Sequence, residues 1–210
     1  MREGTRKFGR LLVSLGVTGL VVVTSACTGR GGGTLPPVGA VFTGPASFGF
    51  QFSCEQSSGS TNPNTPRGRL RIQLSYTEHG VSPTIRAGFS IHGTVDTLDP
   101  VLESAICIGQ NPPPGGNELI FLGRYRPTSS IPAGFPTSCP TTESAATPLC
   151  RFEVIVRDND GNNVPSANDY FAITLSDSAP AVVGPSGSVL GPTVFYTRSG
   201  LLQGGNLTVD

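Results

Sequence analysis

Apolar and polar residues alternate along most of the chain from residue 38 onward. The segment 48–54 places three phenylalanines and a cysteine on one face, and the segment 69–76 alternates apolar with polar side chains. The same period of two recurs in 89–95, 152–157 and 170–175. This period is that of a strand with one buried face, which is typical of antiparallel sheets.

The spacing of these segments predicts an all-β fold. Turn-rich stretches separate them, and the 28 glycines and 19 prolines fit many short connections. We expect about 8 to 10 strands in an antiparallel meander, with one long loop at 126–149. Such a sheet closes into a small β-barrel or folds into a two-sheet sandwich, because both arrangements hide its edges.

The N-terminus is organised like an export signal. Basic residues precede the apolar segment Leu11–Val23, and the small residues Ser25 and Ala26 stand directly before Cys27. A membrane-spanning helix needs about 20 apolar residues, so this segment is too short to be an ordinary one. We therefore predict that residues 1–26 are a signal helix that is removed on export.

The residues that end at Cys27 resemble a bacterial lipoprotein signal peptide, although Thr24 stands where that family usually has leucine. The resemblance implies cleavage before Cys27 and acylation of its thiol. It also implies a lipid anchor on the outer face of the cell membrane or at the cell surface. The alternative is an ordinary secretory signal that is cut near Ala26 and leaves Cys27 as a spare thiol. Two acyl chains give stable anchoring where one is marginal.

Composition divides the mature part into two regions. Residues 27–37 are rich in glycine and proline and are predicted to be a flexible tether. Residues 38–210 are long enough for a single β-domain with its own core. We expect this domain to be a monomer.

Four cysteines remain if Cys27 carries lipid: Cys54, Cys107, Cys139 and Cys150. An even set in an oxidising compartment predicts two disulfides, for which three pairings exist. We expect the pairs Cys54–Cys107 and Cys139–Cys150. Zinc is the alternative partner, but the chain has no C-x-x-C spacing and only two histidines.

The charge of the mature part argues against nucleic acid as a partner. Four of the 14 basic residues and one of the 14 acidic residues lie in 1–26, which leaves 10 arginines against 13 acids and a formal net charge of −3. A weakly acidic chain without basic clusters is not typical of proteins that bind nucleic acid or anionic headgroups.

Several short motifs resemble, in their order, a secreted β-domain found mainly in actinobacterial surface proteins, often behind choice-of-anchor modules. The motifs are a small-x-Phe-Gly-Phe strand at 46–50, Leu-x-Tyr-x-acid-His at 74–79, Ile-His-Gly at 91–93, two further strands at 152–159 and 169–173, and Gly-Gly-Asn-Leu at 204–207. The resemblance implies a non-catalytic, surface-associated module and supplies no catalytic residues.

The segment 157–163 is the best candidate for a metal site. The side chains of Asp158, Asp160 and Asp169 supply oxygen ligands of the kind that calcium loops use. If Asp158 is position 1 of such a loop, Asp169 is position 12, where an EF-hand has its bidentate acid. The competing interpretation is a hairpin turn, because Asp-Gly and Asn-rich sequences provide the positive φ angles of tight turns. The turn is the favoured interpretation, and no other cofactor is expected.

Other candidate chemistry is weaker. With Glu78 or Asp96, the histidines His79 and His92 make a possible acid–base pair, although surface hydrogen bonding is the default for them. The segment 184–188 is similar to the Gly-x-Ser-x-Gly nucleophile elbow of α/β-hydrolases, but its second glycine stands one position too early. No catalytic residues are therefore predicted.

Two side-chain sets suggest binding instead. The alternating phenylalanines Phe48, Phe50 and Phe52 either fill a core or line a barrel that holds a small hydrophobic ligand. Arg69 and Arg71 share one strand face, which is either simply solvated or able to bind a carboxylate or sulfate. The sequence thus favours a lipid-anchored, non-catalytic module that interacts with a protein or other envelope component, with a carrier of a small ligand as the alternative.

Overall fold

The computed structural model describes residues 27–56, 68–94, 117–128, 133–136, 138–142, 149–159, 168–177, 182–183, 189–190 and 193–209. The expected signal helix at 1–26 lies outside these residues. The described residues form eleven strands: β1 (Cys27–Leu35), β2 (Ala46–Gln56), β3 (Gly68–Glu78), β4 (Phe89–Thr94), β5 (Glu118–Pro127), β6 (Cys150–Arg157), β7 (Tyr170–Ser176), β8 (Val182–Val183), β9 (Val189–Leu190), β10 (Val194–Leu201) and β11 (Gly204–Val209).

Nine of these strands form one antiparallel sheet in the order β10-β7-β6-β5-β4-β3-β2-β1-β11, while β8 and β9 pair with each other. Strands β1 to β7 follow each other in space as they do in the chain, so the predicted antiparallel meander is confirmed. None of the described residues forms a helix that is long and apolar enough to cross a bilayer.

The sheet curls into a half-barrel. Its two edge strands, β10 and β11, are consecutive in the chain and are joined only by Leu202 and Gln203. Their joined ends can therefore be at most about 11 Å apart. Backbone hydrogen bonds from Leu202 to Asp169 (2.9 Å) and from Gln203 to Thr34 (2.8 Å) hold this connection against β1 and the start of β7. The barrel-like form of the prediction is thus closer to the structure than a two-sheet sandwich.

Aromatic rings from opposite sides of the curl meet in the interior. Phe48 on β2 stacks on Phe171 of β7 with the ring centroids 3.7 Å apart, and Phe50 lies 5.4 Å from Phe121 of β5. The third inward phenylalanine of β2, Phe52, also contacts Phe121. The alternating face of β2 is therefore core-forming, as its period of two predicted.

The prediction of a flexible tether at 27–37 is wrong. Residues 27–35 are β1, which is paired along its length with β2 on one side and with β11 on the other. Its inward positions are glycines because neighbouring strands occupy the space: a Cβ atom on Gly31 would lie 2.5 Å from the Asn206 carbonyl oxygen and 2.8 Å from Leu207 Cδ2. Residues 27–35 therefore belong to the sheet, although the prediction placed them outside the domain.

A disulfide joins Cys139 to Cys150, with the Cα atoms 5.3 Å apart, as expected from the sequence. It ties the segment after β5 to the first residue of β6. The predicted loop at 126–149 begins later than expected, because β5 continues to Pro127. Cys107 lies outside the described residues, so the pair Cys54–Cys107 stays a prediction, and the backbone register of β1 and β2 places Cys54 opposite Cys27.

Candidate functional site

An open groove of about 610 Å³ crosses the outer face of the sheet from β1 to β5. We call it the outer groove. Its outward-pointing side chains are polar or cationic: Arg30, Gln51, Gln73, Ser75, His92, Thr94 and Arg126. Gly49 lies on its floor, where an added Cβ atom would meet only the Gly31 carbonyl oxygen, at 3.9 Å.

Strand register builds the groove from two rows of residues that cross the sheet. One row runs from Arg30 through Gln51 and Gln73 to Thr94, each facing the next across paired strands. The neighbouring row lies two residues along each strand and runs Gly32, Gly49, Ser75, His92 and Arg126. The missing side chains at the two glycines make the depression between the flanking residues.

The groove has an arginine at each end. Arg30 stands at the β1 end, Arg126 at the β5 end, and His92 faces Arg126 across β4 and β5. Among the described residues, no carboxylate lines the groove. Arg71, which the sequence proposed as part of an anion site, is exposed on the same outer face but does not line the groove, and the side chain of Arg69 lies outside the described residues.

The predicted acid–base pairs do not form among the described side chains. His79 is exposed, and its Nε2 atom lies 2.9 Å from Ser47 Oγ. In the β3–β4 pairing His92 lies opposite Ser75, which is four residues before His79. The two histidines are therefore about 13 Å apart along the strand direction. Glu78 is buried and paired elsewhere, and Asp96 lies outside the described residues. The two histidines therefore belong to separate places on the surface.

Glu78 instead lies in a fully buried cluster with Arg198. The two side chains form an ion pair through Glu78 Oε2 and Arg198 Nη1, and neither is exposed to solvent. Tyr196 donates a 2.8 Å hydrogen bond to the same carboxylate oxygen, and Tyr76 lies 2.5 Å from Tyr196, hydroxyl to hydroxyl. Gly80 N–H donates to Glu78 Oε1 at 3.2 Å. The cluster joins β3 to β10 across the interior.

Arg198 also fixes the chain segment that follows β1. Its Nη2 atom donates to the carbonyl oxygens of Pro36 (2.8 Å) and Gly44 (3.0 Å), and its guanidinium lies 4.6 Å from the Phe42 ring centroid. A cation over an aromatic face is attracted by the ring quadrupole. With these contacts the cluster is a structural element that holds residues 36–44 against one end of the barrel.

Burial of tyrosine hydroxyls predicts alkaline instability. Burial raises the pKa of Tyr76, Tyr125 and Tyr196 well above the ordinary value near 10. Above about pH 10 the unfolded chain loses these protons while the folded chain keeps them. The free energy of unfolding should therefore be unaffected below that pH and fall above it by up to about 1.4 kcal/mol per pH unit for each tyrosine.

Urea unfolding between pH 8 and 11, with absorbance at 295 nm, measures this fall. Tyr196→Phe serves as the comparison, because it removes one titrating hydroxyl and should make the pH dependence shallower. Ionisation of all three tyrosines near pH 10 in the folded protein would contradict the prediction.

The acidic residues proposed for calcium are placed as follows. Asp169 is buried, and its two carboxylate oxygens accept backbone N–H groups of Asn159 and Leu207, both at 3.1 Å. Asp158 is also buried, and Asp160 lies outside the described residues. In the described part of the chain, no group of three or more His, Cys, Asp or Glu is placed to hold a metal ion. Asp169 thus connects the end of β6 and the strand β11 to the start of β7, while residues 160–163 of the predicted turn lie outside the described residues, so the turn stays a prediction.

Comparisons with known proteins return no relative. No family model matches the sequence, and no curated protein or solved structure gives a match. The fold and the site therefore define a class only: an all-β domain with a curled antiparallel sheet, a ring-filled interior and an open cationic groove on its outer face.

Proposed function

We propose that this chain is a lipid-anchored, exported module with a non-catalytic interaction role at the cell envelope, and that the outer groove is its binding surface. The observation that carries the proposal is the groove itself: an open, polar depression that holds Arg30, His92 and Arg126 and is lined, among the described residues, by no carboxylate. Exposed cations held in one depression on a rigid sheet are available to a partner.

The interior gives less support to a carrier of a small hydrophobic ligand. Phe48 is stacked on Phe171, and Phe121 is in contact with both Phe50 and Phe52. Ring contacts across the curl occupy the space that an internal ligand would need, since side chains fill the interior of a small barrel. An interaction surface on the outside is therefore favoured over a cavity inside.

The lining of the groove supports a binding role over a catalytic one. Within the groove, Ser75 and His92 are register partners on β3 and β4, which places a hydroxyl beside an imidazole. A hydrolytic triad also needs an acid that orients the imidazole, and no carboxylate lines the described part of the groove. The guanidiniums and amides around His92 suit recognition of an anionic, hydrogen-bonding ligand.

The anchor is tested by the mass of the N-terminal peptide of the mature protein. We expect that peptide to begin at acylated Cys27 and the protein to fractionate with membranes. Cys27→Ser should abolish the acylation and release the domain into the soluble fraction. An unmodified Cys27, or a peptide that joins Cys27 to its register partner Cys54 by a disulfide, would overturn the lipid anchor.

A further inference from the structure

We propose that the outer groove binds an acidic polysaccharide, an extended glycan that carries carboxylate or sulfate groups. The inference rests on the proposed interaction role and names the ligand class of the same groove. It depends on three properties of the groove: the separation of its cations, the polar side chains between them, and the fully paired backbone beneath.

The cations are too far apart for one small anion. Arg30 lies on β1 and Arg126 on β5, four strand spacings apart, which is about 19 Å between backbones before the curl is considered. His92 and Arg126 face each other in register, so the guanidinium at the β5 end has an imidazole opposite it, whereas Arg30 stands alone at the β1 end. A ligand that meets both ends is extended and has at least two separated anionic groups.

The residues between the cations suit a hydroxyl-rich ligand. Gln51 and Gln73 offer amide donors and acceptors, and Ser75 and Thr94 offer hydroxyls. These groups both donate and accept hydrogen bonds, as sugar hydroxyls do. Each arginine presents several N–H donors in one plane, which can bind a carboxylate or sulfate through two parallel hydrogen bonds. The described outward positions of the groove present no apolar side chain.

An acidic peptide fits the groove less well. Peptides commonly add to a sheet through unpaired backbone groups at an edge strand. Strands β1 to β4 are interior to the sheet, and each is paired on both sides, so their backbone groups are already used. Without outward apolar pockets, a peptide would have only its acidic side chains to bind with.

Single-stranded nucleic acid fits less well too. Such ligands are held by aromatic side chains on which bases stack and by a strongly basic groove. In the described part of the groove no aromatic side chain points outward, since Phe50 is buried in the core.

The test is titration calorimetry of the exported, purified full chain against defined probes. The acidic glycan probes are oligogalacturonate for carboxylates and heparin oligosaccharide for sulfates. Neutral dextran, poly-L-glutamate and sodium sulfate are the comparisons. We expect binding to at least one acidic glycan, weaker at higher salt because the contacts are ionic, and none to dextran.

Three variants localise the binding. Arg30→Gln and Arg126→Gln should each weaken it by about tenfold or more, as expected for loss of a charged hydrogen bond. Arg86→Gln removes the same charge from an exposed position outside the groove and should leave the affinity unchanged. Gly49→Ile keeps every charge but fills the floor of the groove, where its Cβ atom has room, and should also abolish binding.

The inference would be overturned if neither acidic glycan bound, or if dextran bound as tightly as the acidic glycans. It would also be overturned if Arg86→Gln weakened binding as much as Arg30→Gln does, or if poly-L-glutamate bound more tightly than the glycans in a way that depends on Arg30. Sulfate alone binding as well as the glycans would also overturn it, by indicating a single-anion site. None of these outcomes affects the mass of the Cys27 peptide. A wrong ligand class can therefore be distinguished from a wrong proposal of a lipid-anchored protein.

Discussion

Replacing Glu78 with glutamine is expected to lower the free energy of unfolding by about 3–5 kcal/mol. The side chains of Glu78 and Arg198 are both fully buried, so the neutral variant leaves an arginine charge inside the protein without its counter-charge. The hydrogen bond from Tyr196 to the carboxylate also loses its charged acceptor. Equilibrium urea unfolding followed by circular dichroism measures the change.

A surface ion pair provides the matched control for this experiment. Glu118 pairs with Arg157, but the two side chains are 39% and 49% exposed, so Glu118→Gln should cost less than about 1 kcal/mol. The double variant Glu78→Gln with Arg198→Met should be more stable than Glu78→Gln alone, because it removes the orphaned charge. A loss with Glu78→Gln no larger than that with Glu118→Gln would contradict the prediction.

Replacing Gly31 with valine is expected to destabilise the domain by about 3 kcal/mol, the upper part of the range for overpacked cores. The added Cβ atom would stand 2.5 Å from the Asn206 carbonyl oxygen, which is backbone and cannot rotate away. The change tests whether 27–35 is a strand within the sheet, because a valine in a flexible tether would leave stability unaltered. Thermal and urea unfolding of the same variant provide the measurement.

Gly49→Val is the control, because Gly49 lies on the neighbouring strand but points outward. Its added Cβ atom would meet nothing closer than 3.9 Å, and a glycine inside a strand costs roughly 0.5–1 kcal/mol of stability. This variant should therefore be as stable as the parent protein or slightly more so. If both valines, or neither, destabilised the protein, the assignment of inward and outward faces on β1 and β2 would be wrong.

The alternating strands could be predicted from the sequence, whereas β1 could not. In β2 the phenylalanines at every second position report the buried face directly. In β1 three successive inward positions are Gly29, Gly31 and Gly33, which have no side chain to show a period, and Leu35 follows at the end of the strand, so composition alone suggested a linker. The reason for these glycines is the proximity of β11, whose strand comes from the far end of the chain.

The same limit applies to the candidate site. Arg69 and Arg71 were visible as a pair because they lie on one strand, but Arg30, His92 and Arg126 come together only through the lateral order of β1 to β5. The buried cluster did leave a signal: Arg198 and Tyr196 share one face of β10, and Glu78 and Tyr76 share one face of β3. Opposite charges at inward positions of two strands are the pattern that indicates such a pair.

The start of β1 at Cys27 determines how closely an acylated protein would approach its membrane. If Cys27 carries lipid, as proposed, the acyl chains would be attached to the first residue of a paired strand, with no free chain between the lipid and the sheet. Arg30 follows three residues later, at a height of about 10 Å along the strand. With β1 directed along the membrane normal, the outer groove, which runs across the strands, would lie nearly parallel to the bilayer and close to it. An anchored domain would then reach polymers that lie along the membrane surface before those that extend far from it.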